Sequence, residues 1–225
     1  MLSIIIPTLN AGTVLRPTLD SLAAAINQLP HEVIVADGGS IDDTAAITIE
    51  GGAILLETQR GRGRQLAAGA GAAAGDWLLF MHADTQPQGE WMQAVQSFIG
   101  EPANRYHAAY FRFALDDRRR IARLLEWIVR LRSHFLGLPY GDQGLLIART
   151  FYEQLGGYKS LPLMEDVDIV RRIGRGRLRL LAATALTSAE KYQRDGYILR
   201  PLRNMVLLGL YACGVSPRYL SARYR

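Results

Sequence analysis

The sequence predicts an α/β protein with a mostly parallel central sheet and helices on both of its faces. Short, almost continuously apolar runs alternate with longer stretches whose apolar residues recur at helical spacing, the pattern of strands buried on both sides between crossover helices. A chain of 225 residues with 49% hydrophobic and 21% charged residues can bury a large core and lies far from disordered, collagen-like or coiled-coil compositions.

Residues 2–6 read as the first apolar strand. A helix over 14–29 follows, with Leu15, Leu19, Leu22 and Ile26 at helical spacing. Next come a strand over 32–36, a helix over 42–50, a strand over 53–57, an Ala-rich helix over 64–74 and a strand over 77–81. The second half breaks this rhythm. It reads as a strand over 106–115, a basic amphipathic helix over 117–135, a strand over 144–148 and a helix over 150–155. A loop and acidic helix start within 161–173, a strand over 177–183 and a last helix over 198–214 complete it. No repeat or low-complexity linker separates the halves, so residues 1–225 are expected to form one domain, divided in role at about residue 100.

Cys213 is the single cysteine, which rules out an internal disulfide, and no Cys/His cluster has zinc spacing. The N-terminus runs straight into an apolar strand without a basic leader, so a cytoplasmic protein is expected. The apolar stretch 205–215 is about half of the roughly 20 residues that a bilayer-spanning helix needs. The net charge is +5 and the pI about 9.5, yet Lys159 and Lys191 are the only lysines; arginine forks suit phosphate recognition. Nucleic acid is not expected as a partner, because no aromatic platform or recognised module accompanies the charge.

In parallel sheets ligands sit beyond the carboxyl ends of the strands, and three such loops carry polar residues: Pro7-Thr8-Leu9-Asn10, Asp37-Gly38-Gly39-Ser40-Ile41-Asp42 and His82-Ala83-Asp84. None holds the glycine fingerprint of a dinucleotide site or a P-loop. Asp37 is placed to accept hydrogen bonds from a base or ribose, while Ser40 or Asp42 suits the cap of the next helix. Arg60, Arg62 and Arg64 stand beside these loops as candidate anion or base contacts. His82 and Asp84, two apart on an extended chain, project together and could hold a divalent cation. Glu165, Asp166 and Asp168 crowd a helix start, where they complement the dipole or provide a general base. Tyr140-Gly141-Asp142-Gln143-Gly144 is a polar turn suited to a hydroxylated acceptor.

Taken in order, Ser3-Ile4-Ile5-Ile6-Pro7-Thr8-Leu9-Asn10, the segment 35–44, the strand and motif 78–84 and Glu165-Asp166 resemble glycosyltransferase family 2, the nucleotide-sugar-dependent transferases of the glycosyltransferase-A fold. Segment 61–69, His82-Ala83-Asp84 and Tyr140-Gly141-Asp142-Gln143-Gly144 further resemble a small bacterial subgroup labelled by its association with radical-SAM or arsenosugar-biosynthesis genes. The resemblance implies a nucleotide-sugar-binding half over 1–100 and an acceptor-binding half over 101–225 with a C-terminal helix. Thr8, Asn10 and Asp37 would contact the nucleotide, with Arg60, Arg62 and Arg64 beside them. Asp84, with His82 where the family has a carboxylate, would hold Mg²⁺ or Mn²⁺ against the diphosphate. Asp142, Gln143 and Glu165 would meet the acceptor, and Asp166 would be the general base of an inverting hexosyl transfer. The donor would be UDP- or GDP-linked and the acceptor a hydroxyl. The alternative is a protein that binds a nucleotide-sugar without transferring it.

Where processive synthases of the family carry Gln-x-x-Arg-Trp, this chain has Ser188-Ala189-Glu190-Lys191-Tyr192, so a polymer-extruding enzyme is not expected. In the basic helix Ile121, Leu124, Leu125, Ile128 and Phe135 take core spacing among arginines. That pattern fits a half-buried helix, or peripheral contact with the inner face of a membrane. The 198–214 helix could pack internally, pair two copies in a homodimer or lie on a membrane.

Overall fold

The apolar run after Met1 becomes β1 (Leu2–Thr8), in which Leu2, Ile4, Ile5 and Ile6 expose no surface. It is followed by α1 (Gly12–Ala23), β2 (His31–Asp37), α2 (Thr44–Glu50), β3 (Ile54–Glu57), α3 (Arg62–Ala72) and β4 (Trp77–Phe80). The computed structural model describes residues 1–23 and 29–222, so the expected helical stretch around Ile26 lies outside the described residues.

The chain continues through β5 (Thr85–Gln88), α4 (Trp91–Gly100), β6 (Ala108–Leu115), α5 (Arg120–Leu131), β7 (Leu145–Ala148) and α6 (Arg149–Gln154). It ends in α7 (Glu165–Ile173), β8 (Leu178–Thr187), α8 (Glu190–Asp195), α9 (Leu199–Ala212) and α10 (Pro217–Ala222). The strands form one sheet in the order β3-β2-β1-β4-β7-β6-β8-β5, continuous across both halves of the chain. Strands β1 to β4 pair in parallel, whereas β7 runs antiparallel to both β4 and β6, and β5 runs antiparallel to β8. The sheet is therefore mixed, more so than the strand–helix alternation of the first half suggests.

The β1–β4 pairing stops at Ile5–Phe80, while β1–β2 continues to Thr8–Asp37. Pro7, which has no N–H to donate, sits past the last β4 rung, where the sheet splits open. Helix α3 is pinned at its carboxyl end by Arg149, whose guanidinium donates to the carbonyls of Ala70, Ala73 and Gly75 and complements the helix dipole.

The observed buried face of one helix differs from the predicted one. In α5 the buried side is Ala122, Leu125 and Val129, with Leu124, Trp127 and Ile128 exposed. The apolar arc of this helix is wider than the surface it covers, so core spacing alone picks the wrong edge. In α9 only Leu207 is buried, and Leu199, Leu202, Met205, Val206 and Leu210 face outward. Among the described residues no helix is long and apolar enough to cross a membrane.

Candidate active site

The loops after β1 and β2 are stitched to each other. The Asn10 amide donates to Ser40 Oγ at 2.8 Å, the Ile41 amide donates to Asn10 Oδ1 at 3.0 Å, and the Gly12 amide donates to Asp42 Oδ2 at 2.9 Å. Asp42 also accepts from the Thr44 amide at the start of α2, at 3.1 Å, but the N-cap position of that helix is Asp43, one residue later than the expected cap, and its side chain makes no cap hydrogen bond.

Asp37 works differently from the expectation. Its carboxylate is 5% exposed and accepts from Thr8 Oγ1 at 2.9 Å, from the Gly39 and Ser40 amides at 3.0 and 2.7 Å, and from Ser40 Oγ. Burial alone would raise its pKa, but these donors outweigh it and hold the carboxyl below the usual carboxylate range. With both oxygens engaged inside the protein, Asp37 organises the loops and presents no free acceptor to a base or ribose. Gln65, unremarked in the sequence, locks the same place: its buried amide donates to the carbonyls of Thr8 and Ala36 at 2.6 and 2.8 Å.

These loops form one wall of a groove of about 600 Å³, a volume in the range of small-ligand sites. Thr8, Asn10, Arg60, Arg62, Asp84 and Lys191 all line it. Arg64 falls outside the groove, its guanidinium donating to Gln59 Oε1 at 3.2 Å on the exposed surface. Arg62 reaches inward to Glu165, with Nη1 3.4 Å from Oε1. The first turn of α3 approaches the 159–161 segment so closely that a Cβ on Gly63 would lie 2.2 Å from the Lys159 carbonyl oxygen. Only glycine permits that approach, and it is what brings Arg62 to the start of α7.

A second, smaller cavity of about 130 Å³ adjoins the groove. Tyr140, Asp142, Met164 and Asp166 belong to its lining alone, while Arg62, His82, Asp84, Glu165, Ser188 and Lys191 line both spaces. Asp166 is fixed by two amides: Gly141 donates to Oδ2 at 3.1 Å and Val167 to Oδ1 at 2.8 Å. Glu165 is 2% exposed, and its burial pushes the carboxyl up against the opposing pull of Arg62. Asp142 Oδ1 is buried without a hydrogen-bond partner. Its pKa is pushed up to about 6, by burial first, against the charge of Arg132 and with help from Asp166 and Asp84. Gln143, expected at the acceptor, is instead a buried hub: its Oε1 accepts from Ser133 Oγ at 2.8 Å and its Nε2 donates to the Phe111 carbonyl at 3.3 Å.

Among the described residues, Asn10 (φ 51°) and Met164 (φ 67°) are the non-glycine residues with left-handed backbone, and both line these spaces. Such strain persists where the surroundings over-determine it, and it gathers at functional sites.

His82 and Asp84 follow β4. A Cβ on Gly141 would lie 2.4 Å from His82 Nε2, so the imidazole lies against the polar turn of the cavity. Burial, then the charge of Arg62, lowers the His82 pKa to about 4, which leaves the ring uncharged. Asp84 is 8% exposed, and its Oδ2 lies 2.7 Å from Lys191 Nζ. Burial raises the Asp84 pKa, but Lys191, His82 and a backbone hydrogen bond together outweigh it and hold it below the usual range. Among the described residues, no three His, Cys, Asp or Glu side chains gather to hold an ion by themselves. An uncharged imidazole and a carboxylate at the junction nevertheless fit a divalent cation whose remaining positions come from a bound diphosphate or water.

Lys191 is the residue the sequence did not single out. Strand β5 pairs with the end of β8 through Thr85–Thr187, and the Ser188 amide donates to the Asp84 carbonyl at 3.0 Å. That pairing delivers Lys191 to a carboxylate 107 positions away. The available signal was its rarity, one of two lysines in an arginine-rich chain.

The sequence model of the family described as Glycosyl transferase family 2 matches residues 3–152. A PGL/p-HBAD biosynthesis glycosyltransferase of Mycobacterium bovis is 38% identical over 109 residues, a match covering 45% of this chain and 42% of that protein. The matched stretch thus spans less than half of that relative's length. Crystalline glucosyl-3-phosphoglycerate synthase from Mycobacterium tuberculosis, in complex with Mn²⁺, UDP and glucosyl-3-phosphoglycerate, aligns with a TM-score of 0.57 and 20% identity over 84% of this chain and 70% of that one. Residues 1–349 of S. aureus TarS, in complex with UDP-GlcNAc, align with a TM-score of 0.61 and 18% identity over 83% of this chain and 58% of that one. At these identities the structural likeness establishes the fold, the mixed sheet flanked by helices of the glycosyltransferase-A type. With the family match running through the β1, β2 and β4 loops that build the groove, the chain belongs to glycosyl transferase family 2.

Proposed function

We propose that the protein transfers a hexosyl group from a nucleoside-diphosphate donor to an acceptor hydroxyl with inversion at the anomeric carbon. The observation that carries this reading is the junction itself: an arginine-lined groove of nucleotide size opens onto an acid-lined cavity, and Asp84 faces both. The nucleoside lies along Thr8 and Asn10, and Arg62 meets the diphosphate. The solved relatives with UDP and UDP-GlcNAc favour a uridine nucleotide as the first donor to try, with GDP-linked donors next. A divalent cation, Mn²⁺ or Mg²⁺, held by Asp84 and His82 would neutralise charge on the departing diphosphate.

The acceptor enters by the cavity, beside Asp142 and Glu165. Its oxygen attacks the anomeric carbon from the side opposite the diphosphate. The bond to the diphosphate breaks with its electron pair, and the acceptor proton passes to Asp166. Arg60, at the exposed rim of the groove, contributes attraction for the polyanionic donor.

Titration calorimetry with UDP, GDP, CDP and dTDP, with and without Mn²⁺, tests the donor site. One nucleotide is expected to bind with a preference that depends on Mn²⁺, and Asp84→Ala is expected to abolish that dependence. Failure of all four to bind wild type would overturn the reading.

The work is assigned to the cytoplasm, on the inner face of a membrane. The support is the outward-facing Leu124, Trp127 and Ile128 of α5 and the apolar face of α9, in a region where residues 196–222 hold arginines and no acidic residue. The protein is expected to float with vesicles containing anionic phosphatidylglycerol and not with neutral phosphatidylcholine vesicles. Concentration-dependent dimerisation without flotation would assign these faces to a second copy and contradict the membrane assignment.

A further inference from the structure

Lys159 and Lys191 are the two lysines of the chain, and they are used differently. Lys159 joins Arg172 on Asp168 in a cluster in which Arg172 also ties down the Leu155 and Gly157 carbonyls. Lys191 has Asp84 as its partner, and it lines both the groove and the cavity.

We propose that Lys191 is a diphosphate-binding residue whose ammonium competes with the divalent cation for the Asp84 carboxylate, so that occupation of Asp84 by the cation releases Lys191 to the phosphates. The inference rests on the donor-site reading given above and adds a residue and a coupling to it.

Four observations support it. Asp84 Oδ2 is already engaged at 2.7 Å by the ammonium, and an ammonium and a divalent cation repel each other too strongly to share one carboxylate oxygen. The Lys191 side chain is half exposed and ends a flexible four-carbon stem, which gives the ammonium reach from Asp84 to a phosphate at the junction. Its place at the start of α8 is fixed by the β5–β8 pairing and by the Ser188–Asp84 backbone bond, so the released ammonium stays at the junction. Finally, Asp84 is buried, and a buried carboxylate needs a counter-charge, which the cation would supply once Lys191 has left it.

The coupling gives one substitution two effects of opposite sign. Lys191→Gln removes the competitor and the phosphate contact together. Without nucleotide, Mn²⁺ binding followed by the electron-paramagnetic-resonance signal of the free ion is expected to tighten severalfold. With Mn²⁺ saturating, the affinity for UDP, or for whichever of GDP, CDP and dTDP wild type prefers, is expected to weaken about tenfold or more, the loss of a charge-assisted hydrogen bond. Lys191→Arg, which keeps the charge, is expected to retain most of the nucleotide affinity. An unchanged nucleotide affinity in Lys191→Gln, or Mn²⁺ binding that weakens along with it, would overturn the proposal while leaving the donor site standing. Wild type that binds none of the four nucleotides would instead remove the donor site itself, and this inference with it.

Discussion

Asp166→Asn is expected to lower kcat by about 10²- to 10⁴-fold, the usual contribution of a positioned general base, while nucleotide affinity stays near wild type. The carboxylate is held by the Gly141 and Val167 amides, which aim it into the cavity. Asparagine keeps one accepting oxygen for these two donors and turns an N–H₂ toward the other, so a stability loss of about 1 kcal/mol accompanies the change. The amide accepts no proton from the acceptor hydroxyl, and turnover falls far more than that loss could cause. Steady-state kinetics on the cognate donor, beside thermal melting of both proteins, separates the two effects. Turnover close to wild type would remove Asp166 from the role of base.

Asp142→Asn is expected to stabilise the protein and impair it at once. The Asp142 carboxyl titrates at about 6 in the folded chain, above its ordinary value of 3.8. The fold therefore disfavours the ionised form. This penalty is absent below the unfolded pKa, grows as the pH rises toward 6 and is complete above it. At pH 7.5 in EDTA, removing the charge is expected to gain about 2 kcal/mol, or roughly 4 to 8 °C in Tm for a chain of this size, with the gain fading toward pH 4. The buried Oδ1 without a partner makes the same point: the group costs stability where it stands. A carboxylate retained at such a cost in the acceptor cavity is expected to bind the acceptor, so KM for the acceptor should rise in the variant. Melting curves across pH test the first half; a variant no more stable than wild type at pH 7.5 would contradict it.

The strands legible in the sequence are those whose burial is total. Residues Leu2 to Ile6 and Trp77 to Phe80 are apolar because both sheet faces are covered, and that leaves an unbroken run. Strand β5, with the sequence Thr-Gln-Pro-Gln at the sheet edge, carries no such run, and its existence depends on β8 pairing from far along the chain. Lys191 was hidden for the same reason, since its partner is fixed only once that pairing forms. The prediction for β8 ended at Ala183, short of the Thr184–Thr187 stretch that pairs with β5. Helix α4 has no counterpart among the expected elements, although Trp91, Met92, Val95 and Phe98 are spaced for burial on one face.

At the site, the sequence located the loops better than the roles within them. Of the segments singled out, those around Thr8 and Asn10 line the groove, that around Asp166 lines the adjoining cavity, and Arg62, His82 and Asp84 line both. Asp37 and Gln143 carry chemistry-bearing side chains at loop positions, yet local donors consume them, and no sequence pattern reveals whether a neighbour such as Ser40 or Ser133 turns inward. A lone polar residue at a strand end states which chemistry is available; only packing states whether it is already spent.

The most direct measurement is a crystal structure of the protein soaked with Mn²⁺ and the nucleoside diphosphate that binds best. The account predicts the nucleoside along Thr8 and Asn10, the diphosphate between Arg62 and Asp84, and the end of the diphosphate opening toward Asp166. A nucleotide lodged elsewhere, or a diphosphate turned away from the Asp84 junction, would contradict it.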